Sequence, residues 1–165
     1  LVREARSSVM LFTKPEREPK PFRRIVFFVP DYSGHTRRGL EMTLHLAEKE
    51  SCETLYVIRV YTTFDAARAR ASQSESAEDQ PAARTLEEEE EALDEFIDEI
   101  AGDTALEIDA RCIRGNTGFA ASDFVQSVEA DLLVVPDPPN VGTPELPTHV
   151  AWVTDVIPCN LWVIR

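Results

Sequence analysis

The sequence predicts an α/β domain: a five-stranded parallel sheet with helices on both faces. Three observations carry this. The run Ile25-Val26-Phe27-Phe28-Val29 is apolar without alternation and ends in Pro30-Asp31-Tyr32-Ser33, as a strand buried on both faces does. Further runs, Thr54–Tyr61 and Asp131–Val135, end in the same way at turn-forming or charged residues. Segments of helical periodicity lie between them, and alternating strands and helices imply parallel pairing through right-handed crossovers.

The elements follow in order. Residues 1–21 stand outside the periodic body: Leu1 to Phe12 suits one short amphipathic helix, and Lys14-Pro15 to Lys20-Pro21 reads as a charged, proline-punctuated linker. The domain proper is expected over 22–165. Its first strand spans about 23–30. Ser33 or Thr36 can cap a helix that carries Leu40, Leu44 and Ala47 to about Lys49. Thr54–Tyr61 is a second strand, rich in β-branched and aromatic residues. Residues 63–84 show no hydrophobic face and read as a mobile surface loop with a partial helix at most.

Thr85-x-x-Glu88 has capping-box spacing, and Leu86, Leu93, Phe96, Ile97 and Ile100 make a buried stripe that Gly102 ends. Glu87 to Glu91 fall in the first turns, where the helix dipole favours acids, and read as a solvated face. Leu106–Ile113 alternates as a half-exposed strand does, and a helix follows from about Phe119 to Val128. Asp131–Val135 is the fourth strand. Pro136 to Pro147 is a loop with five prolines, His149 to Val156 a short helix, and Asn160–Ile164 the last strand.

Composition bounds the function. The 165 residues suffice for one domain with a real core. Thirty acids against 17 bases give a net charge of −13, which argues against nucleic acid or anionic membrane as partner. Only three of the bases are lysines (Lys14, Lys20 and Lys49), and an acid-rich, lysine-poor surface suits high salt. Cys52, Cys112 and Cys159 are scattered and read as reduced thiols of a cytoplasmic protein; with His35, His45 and His149 equally dispersed, no metal site is expected. No run of about 18 apolar residues occurs.

Together, Val29-Pro30-Asp31-Tyr32-Ser33 with Leu40-Glu41, Gly115-Asn116, Asp131-Leu132-Leu133-Val134-Val135 and Pro158-Cys159-Asn160-Leu161-Trp162-Val163-Ile164 resemble the universal stress protein family, over about 23–165. The resemblance implies an adenine nucleotide alpha hydrolase-like sheet of order 3-2-1-4-5 and a homodimer, here through the exposed last strand. It also implies a nucleotide site: Asp31, Tyr32 and Ser33 after the first strand, Val60 at the matching hydrophobic position, and Thr148-His149 at the final Gly-Ser of the family's Gly-x2-Gly-x9-Gly-Ser phosphate loop. The earlier glycines of that loop align with Pro136 and Pro139. Proline donates no N–H and cannot take positive φ. Asp31 is therefore read as a structural cap, no cofactor is expected, and ATP is argued against.

Ser33, Ser122 and Ser127 lack a nucleophile-elbow setting, and no residue is assigned as catalytic. The reading is a non-catalytic, non-ATP-binding domain that acts by association. The opening Leu and the linker suggest a piece of something longer: a cytoplasmic regulatory or assembly module of an amino-acid permease or related secondary transporter. The alternatives are a free-standing stress protein that binds a nucleotide, and a nucleotide-hydrolysing or AMP-transferring relative.

The charge balance yields a test. Raising KCl from low salt to molar concentration should raise the melting temperature by screening carboxylate repulsion along Glu87–Glu91, Asp94, Glu95, Asp98 and Glu99. A flat or falling melting temperature in a thermal scan would remove the high-salt reading.

Overall fold

A computed structural model describes residues 5–13, 20–72, 83–137 and 159–165. The elements are β1 (Val9–Leu11), β2 (Arg24–Phe28), α1 (Gly34–Glu50), β3 (Thr54–Tyr61), α2 (Thr63–Ser72), α3 (Leu86–Ala101), β4 (Ile108–Arg114), α4 (Thr117–Ser127), β5 (Leu132–Pro136) and β6 (Asn160–Ile164). They build an α/β fold around one sheet, in the order β1-β6-β5-β2-β3-β4.

Strand β2 lies between β3 and β5, parallel to both. Its side chains alternate between two cores. Ile25 and Phe27, with Val29 just beyond, pack against Leu40 and Leu44 of α1 and Leu93, Phe96 and Ile97 of α3. Val26 and Phe28 pack with Ala121 and Val125 of α4 on the opposite face. All of these β2 residues are buried, which explains the absence of alternation in the sequence. Asp131 anchors the start of the strand, because its Oδ2 accepts from the backbone amides of both Arg23 and Arg24 at 2.9 Å.

The sheet corrects the five-stranded expectation. Counted without β1, the parallel strands run β4-β3-β2-β5-β6. The sixth strand comes from the segment read as a short helix and linker: Val9, Met10 and Leu11 pair antiparallel with Val163, Trp162 and Leu161. In an extended chain Val9 and Leu11 share a face, and both pack against the core that holds Val163 and Leu161. So short an apolar segment does not declare its own secondary structure. The neighbouring edge decides it, because β6 would otherwise present a row of unpaired backbone groups. Beyond the strand, the Arg165 amide donates to Ser8 Oγ at 3.0 Å. The open β6 edge that motivated the homodimer is thus occupied by this chain.

The stretch after β3, read as a loop with a partial helix, begins with the ten-residue helix α2. Thr62 and Asp65 cap its start reciprocally: Asp65 Oδ2 accepts from Thr62 N–H and Oγ1–H, and Thr62 Oγ1 accepts from Asp65 N–H. Among the described side chains of α2 only Ala69 is buried, so alanine propensity and the cap hold a helix that has no apolar stripe. The capping box at Thr85 and Glu88 is present as expected, and Gly102 follows α3 at φ +52°. The expected helix 149–156 and all of the proline loop beyond Asp137 lie outside the described residues.

Removing residues 1–13 should uncover β6 and expose Leu161 and Val163 at its edge. The truncated protein is expected to give a larger mass than the full chain in light scattering at micromolar concentration, through pairing of bare edges. An unchanged mass and melting temperature would show that β1 protects nothing.

Candidate functional site

Ligands of open parallel sheets sit at the carboxyl ends of the strands, and of the residues singled out in the sequence Asp31, Tyr32 and Ser33 follow β2 while Val60 lies near the end of β3. Asp31 Oδ1 accepts from the Ser33 amide at 2.9 Å and from Thr36 Oγ1 at 2.7 Å. Ser33 is the N-cap of α1, and its Oγ accepts from the Thr36 amide at 3.3 Å. Both side chains therefore serve the turn into α1, satisfying donors that a helix start leaves without partners. Val60 is buried with the α4 core and presents only hydrocarbon.

Tyr32 leads to a cluster that sequence reasoning missed. Its hydroxyl donates to Glu89 Oε1 at 2.8 Å. Arg59, on β3, donates from Nε to the same carboxylate oxygen, and from Nη1 to the carbonyls of Val29 at 3.1 Å and Pro30 at 2.7 Å. The Arg59 guanidinium lies 5.1 Å from the Tyr32 ring centroid and that of Arg84 5.3 Å from it, the geometry of cation–π contacts. Arg84 Nη1 is 3.8 Å from Glu89 Oε2. Burial, and then the hydrogen bond to Glu89, push the Tyr32 phenol well above its usual range, so it remains a protonated donor.

Glu89 corrects the reading of the glutamate run as a solvated face. Glu87, Glu88, Glu90 and Glu91 are exposed, but Glu89 retains 6% of its surface. The helical period turns one of five consecutive residues inward, and a carboxylate there needs a cation. Arg59, in mid-strand between Ile58 and Val60, carried the missing signal: it faces the α3 side when β3 packs its neighbours on the other.

The fourth strand ends differently from what a phosphate cradle requires. Pro136 has no N–H to give, and it packs against α1 so closely that a Cβ on Gly39 would lie 3.3 Å from its own. The next amide, of Asp137, donates to the Ile164 carbonyl at 2.8 Å. The Asp137 carboxylate is fully buried and sits 2.5 Å from Arg165 Nη1. His35 Nε2 donates to the same Ile164 carbonyl at 3.0 Å. Among the described residues, the end of β5 thus has one amide absent, one consumed and a buried carboxylate beside them. Thr148 and His149, like Pro139, lie outside the described residues.

The thiols show no activation. Burial, and then Glu89 and Glu90, push Cys112 up to about 11, and burial pushes Cys159 up to about 12. Among the described residues no three metal-ligating side chains cluster.

This arrangement defines a doubly wound α/β domain with polar groups gathered at the carboxyl ends of β2, β3 and β5. Within that class, comparison with solved structures places the chain in the universal stress protein fold. It superposes on a universal stress protein in complex with cAMP with a TM-score of 0.62 at 18% identity, covering 88% of this chain and 98% of the other. UspA from Lactobacillus plantarum gives 0.62 at 18%, over 90% and 100%. A universal stress protein from Archaeoglobus fulgidus gives 0.61 at 14%, over 87% and 94%. No protein-family model and no curated protein matches the sequence.

Glu89→Ala should leave Arg59 partly buried without its carboxylate. A loss of about 3 kcal/mol in urea unfolding is expected, against less than about 0.5 kcal/mol for Glu90→Ala on the exposed face. Equal effects of the two substitutions would mean that the cluster does not hold α3 to the sheet.

Proposed function

We propose that this domain is a non-catalytic member of the universal stress protein fold that acts by association, without ATP in a phosphate cradle. The observation that carries the reading is the end of β5. Pro136 supplies no amide, the Asp137 amide is spent on Ile164, and the Asp137 carboxylate is buried beside them. The Asp31 side chain is likewise engaged by Ser33 and Thr36. No hydrolytic or AMP-transferring chemistry is assigned, because the described residues at the strand ends place no activated nucleophile there.

The role proposed is that of a cytoplasmic regulatory or assembly module, with a secondary transporter as the partner. No described helix is long and apolar enough to cross a membrane, so a tether would come from elsewhere. Homodimerisation remains part of the proposal, but with β1 on β6 it would pass through β1 or another face rather than a bare last strand. A nucleotide-binding role is the second reading, favoured by the fold shared with a stress protein in complex with cAMP.

Calorimetry separates the two. ATP, with or without magnesium, is expected to show no micromolar affinity, and any weak millimolar heat should match that of tripolyphosphate and survive Asp31→Ala. A micromolar dissociation constant lost in Asp31→Ala, or ATP carried through purification, would establish the nucleotide reading instead.

A further inference from the structure

Strand β4 forms one edge of the sheet, and no described strand lies beyond it. The Glu107 carbonyl accepts from the Leu55 amide at 2.9 Å, and the Gly115 amide donates to the Tyr61 carbonyl at 3.2 Å. The odd-numbered residues therefore turn their backbone groups towards β3. Those of Ile108, Ala110 and Cys112 turn away from the sheet, as alternate residues of an edge strand do. The strand contains neither proline nor lysine to blunt that edge.

The side chains set what the edge can pair with. Ile108, Ala110 and Cys112 lie on the α3 face, partly buried against its core. Asp109 and Arg111 share the opposite face, beside Tyr56 and Ile58 of β3. Arg111 donates from Nε to Asp109 Oδ1 at 2.7 Å and from Nη2 to Oδ2 at 2.9 Å. The arginine side chain is 59% exposed and the aspartate 29%, so both remain within reach of a neighbour. One carboxylate and one cation thus flank Ala110.

That order is self-complementary. Consider a second β4 laid antiparallel along the edge, with the two-fold axis at Ala110. Each Ile108 then faces a Cys112, each Asp109 faces an Arg111, and Ala110 faces its own copy. Ile108, Ala110 and Cys112 exchange hydrogen bonds across the axis through their outward backbone groups. Asp109 and Arg111 fall in the intervening pairs, where no backbone bonds form and facing side chains come closest. Other registers match less well. An axis at Asp109 or Arg111 sets like charges face to face, one at Ile108 sets Asp109 against Glu107, and one at Cys112 leaves Arg111 against Ile113.

We propose that β4 is a homodimer interface, at which two copies join antiparallel about an axis at Ala110 and their sheets run on into one another. The proposal rests on the homodimer named above and assigns its surface, at the sheet edge opposite the one that β1 covers. Two chains of net charge −13 repel at long range, so the pairing belongs to physiological salt, where repulsion beyond about 8 Å is screened while contacting pairs persist.

The test is sedimentation equilibrium of the full chain from micromolar to millimolar concentration. A reversible dimer is expected, and amide hydrogen exchange at Ala110 and Cys112 should slow as the dimer fills. Asp109→Arg leaves only cations beside Ala110, and Arg111→Asp only carboxylates. Each variant alone should dimerise about tenfold more weakly or worse, because like charges then face each other. An equimolar mixture of the two should recover a dimer containing one chain of each, since every facing pair is again opposite in sign; damage to the fold of either variant would not be rescued by mixing. A dimer that neither substitution weakens would overturn the β4 interface and leave a homodimer through another face. Weakening without recovery in the mixture would overturn the register and with it the proposal. A monomer at every concentration would overturn the homodimer as well, and Ala110 and Cys112 amides already protected in that monomer would mean that another segment of the chain holds the edge.

Discussion

Strand β2 has water on neither face, and much of the molecule follows from that constraint. A strand with Ile25, Phe27 and Val29 on one side and Val26 and Phe28 on the other must be covered twice. Helices α1 and α3 cover one face and α4 the other, so the chain has to cross the sheet repeatedly and its strands come out parallel. Parallel strands in turn gather their carboxyl ends on one rim. The residues that follow β2, β3, β5 and β6 meet there because the core demands it, before any question of ligand arises.

What occupies that rim is largely the protein itself. Arg59 ties the carbonyls after β2 to a carboxylate on α3, Asp137 and Arg165 join the ends of β5 and β6, and Asp31 and Ser33 close the turn into α1. Buried ion pairs of this kind are weak sources of net stability, since desolvation offsets most of the attraction, but they are costly to break on one side only. They fix which helix lies over which strand end. In a fold whose rim is a common place for ligands, the described residues after β2 and β5 are spent on internal contacts.

The legible parts of the sequence were those where burial leaves a one-dimensional trace. The strands β2, β3, β5 and β6 and the helices α1 and α3 announced themselves through runs or stripes of apolar residues and through caps such as Ser33 and Thr85. Asp31 makes local contacts because an aspartate two residues before a helix N-cap has nearby donors to satisfy. Three features left no such trace. Helix α2 buries almost nothing, so its ten residues resemble a loop. Strand β1 owes its conformation to a partner 150 residues away in sequence, which no local pattern records. Glu89 is one of five identical neighbours, and only the phase of α3 against Arg59 distinguishes it.

The antiparallel pairing of β1 on β6 also makes the domain mechanically unequal at its two ends. A pull on the amino-terminal side first loads a three-residue ladder, Val9 to Leu11, whose other edge has no partner among the described strands. A pull at Arg165 acts directly on β6, which is gripped by β5 on one side and β1 on the other. Tension from the first direction would peel away one short strand and leave the five parallel strands and both cores in place. Tension from the second would have to disrupt the sheet itself.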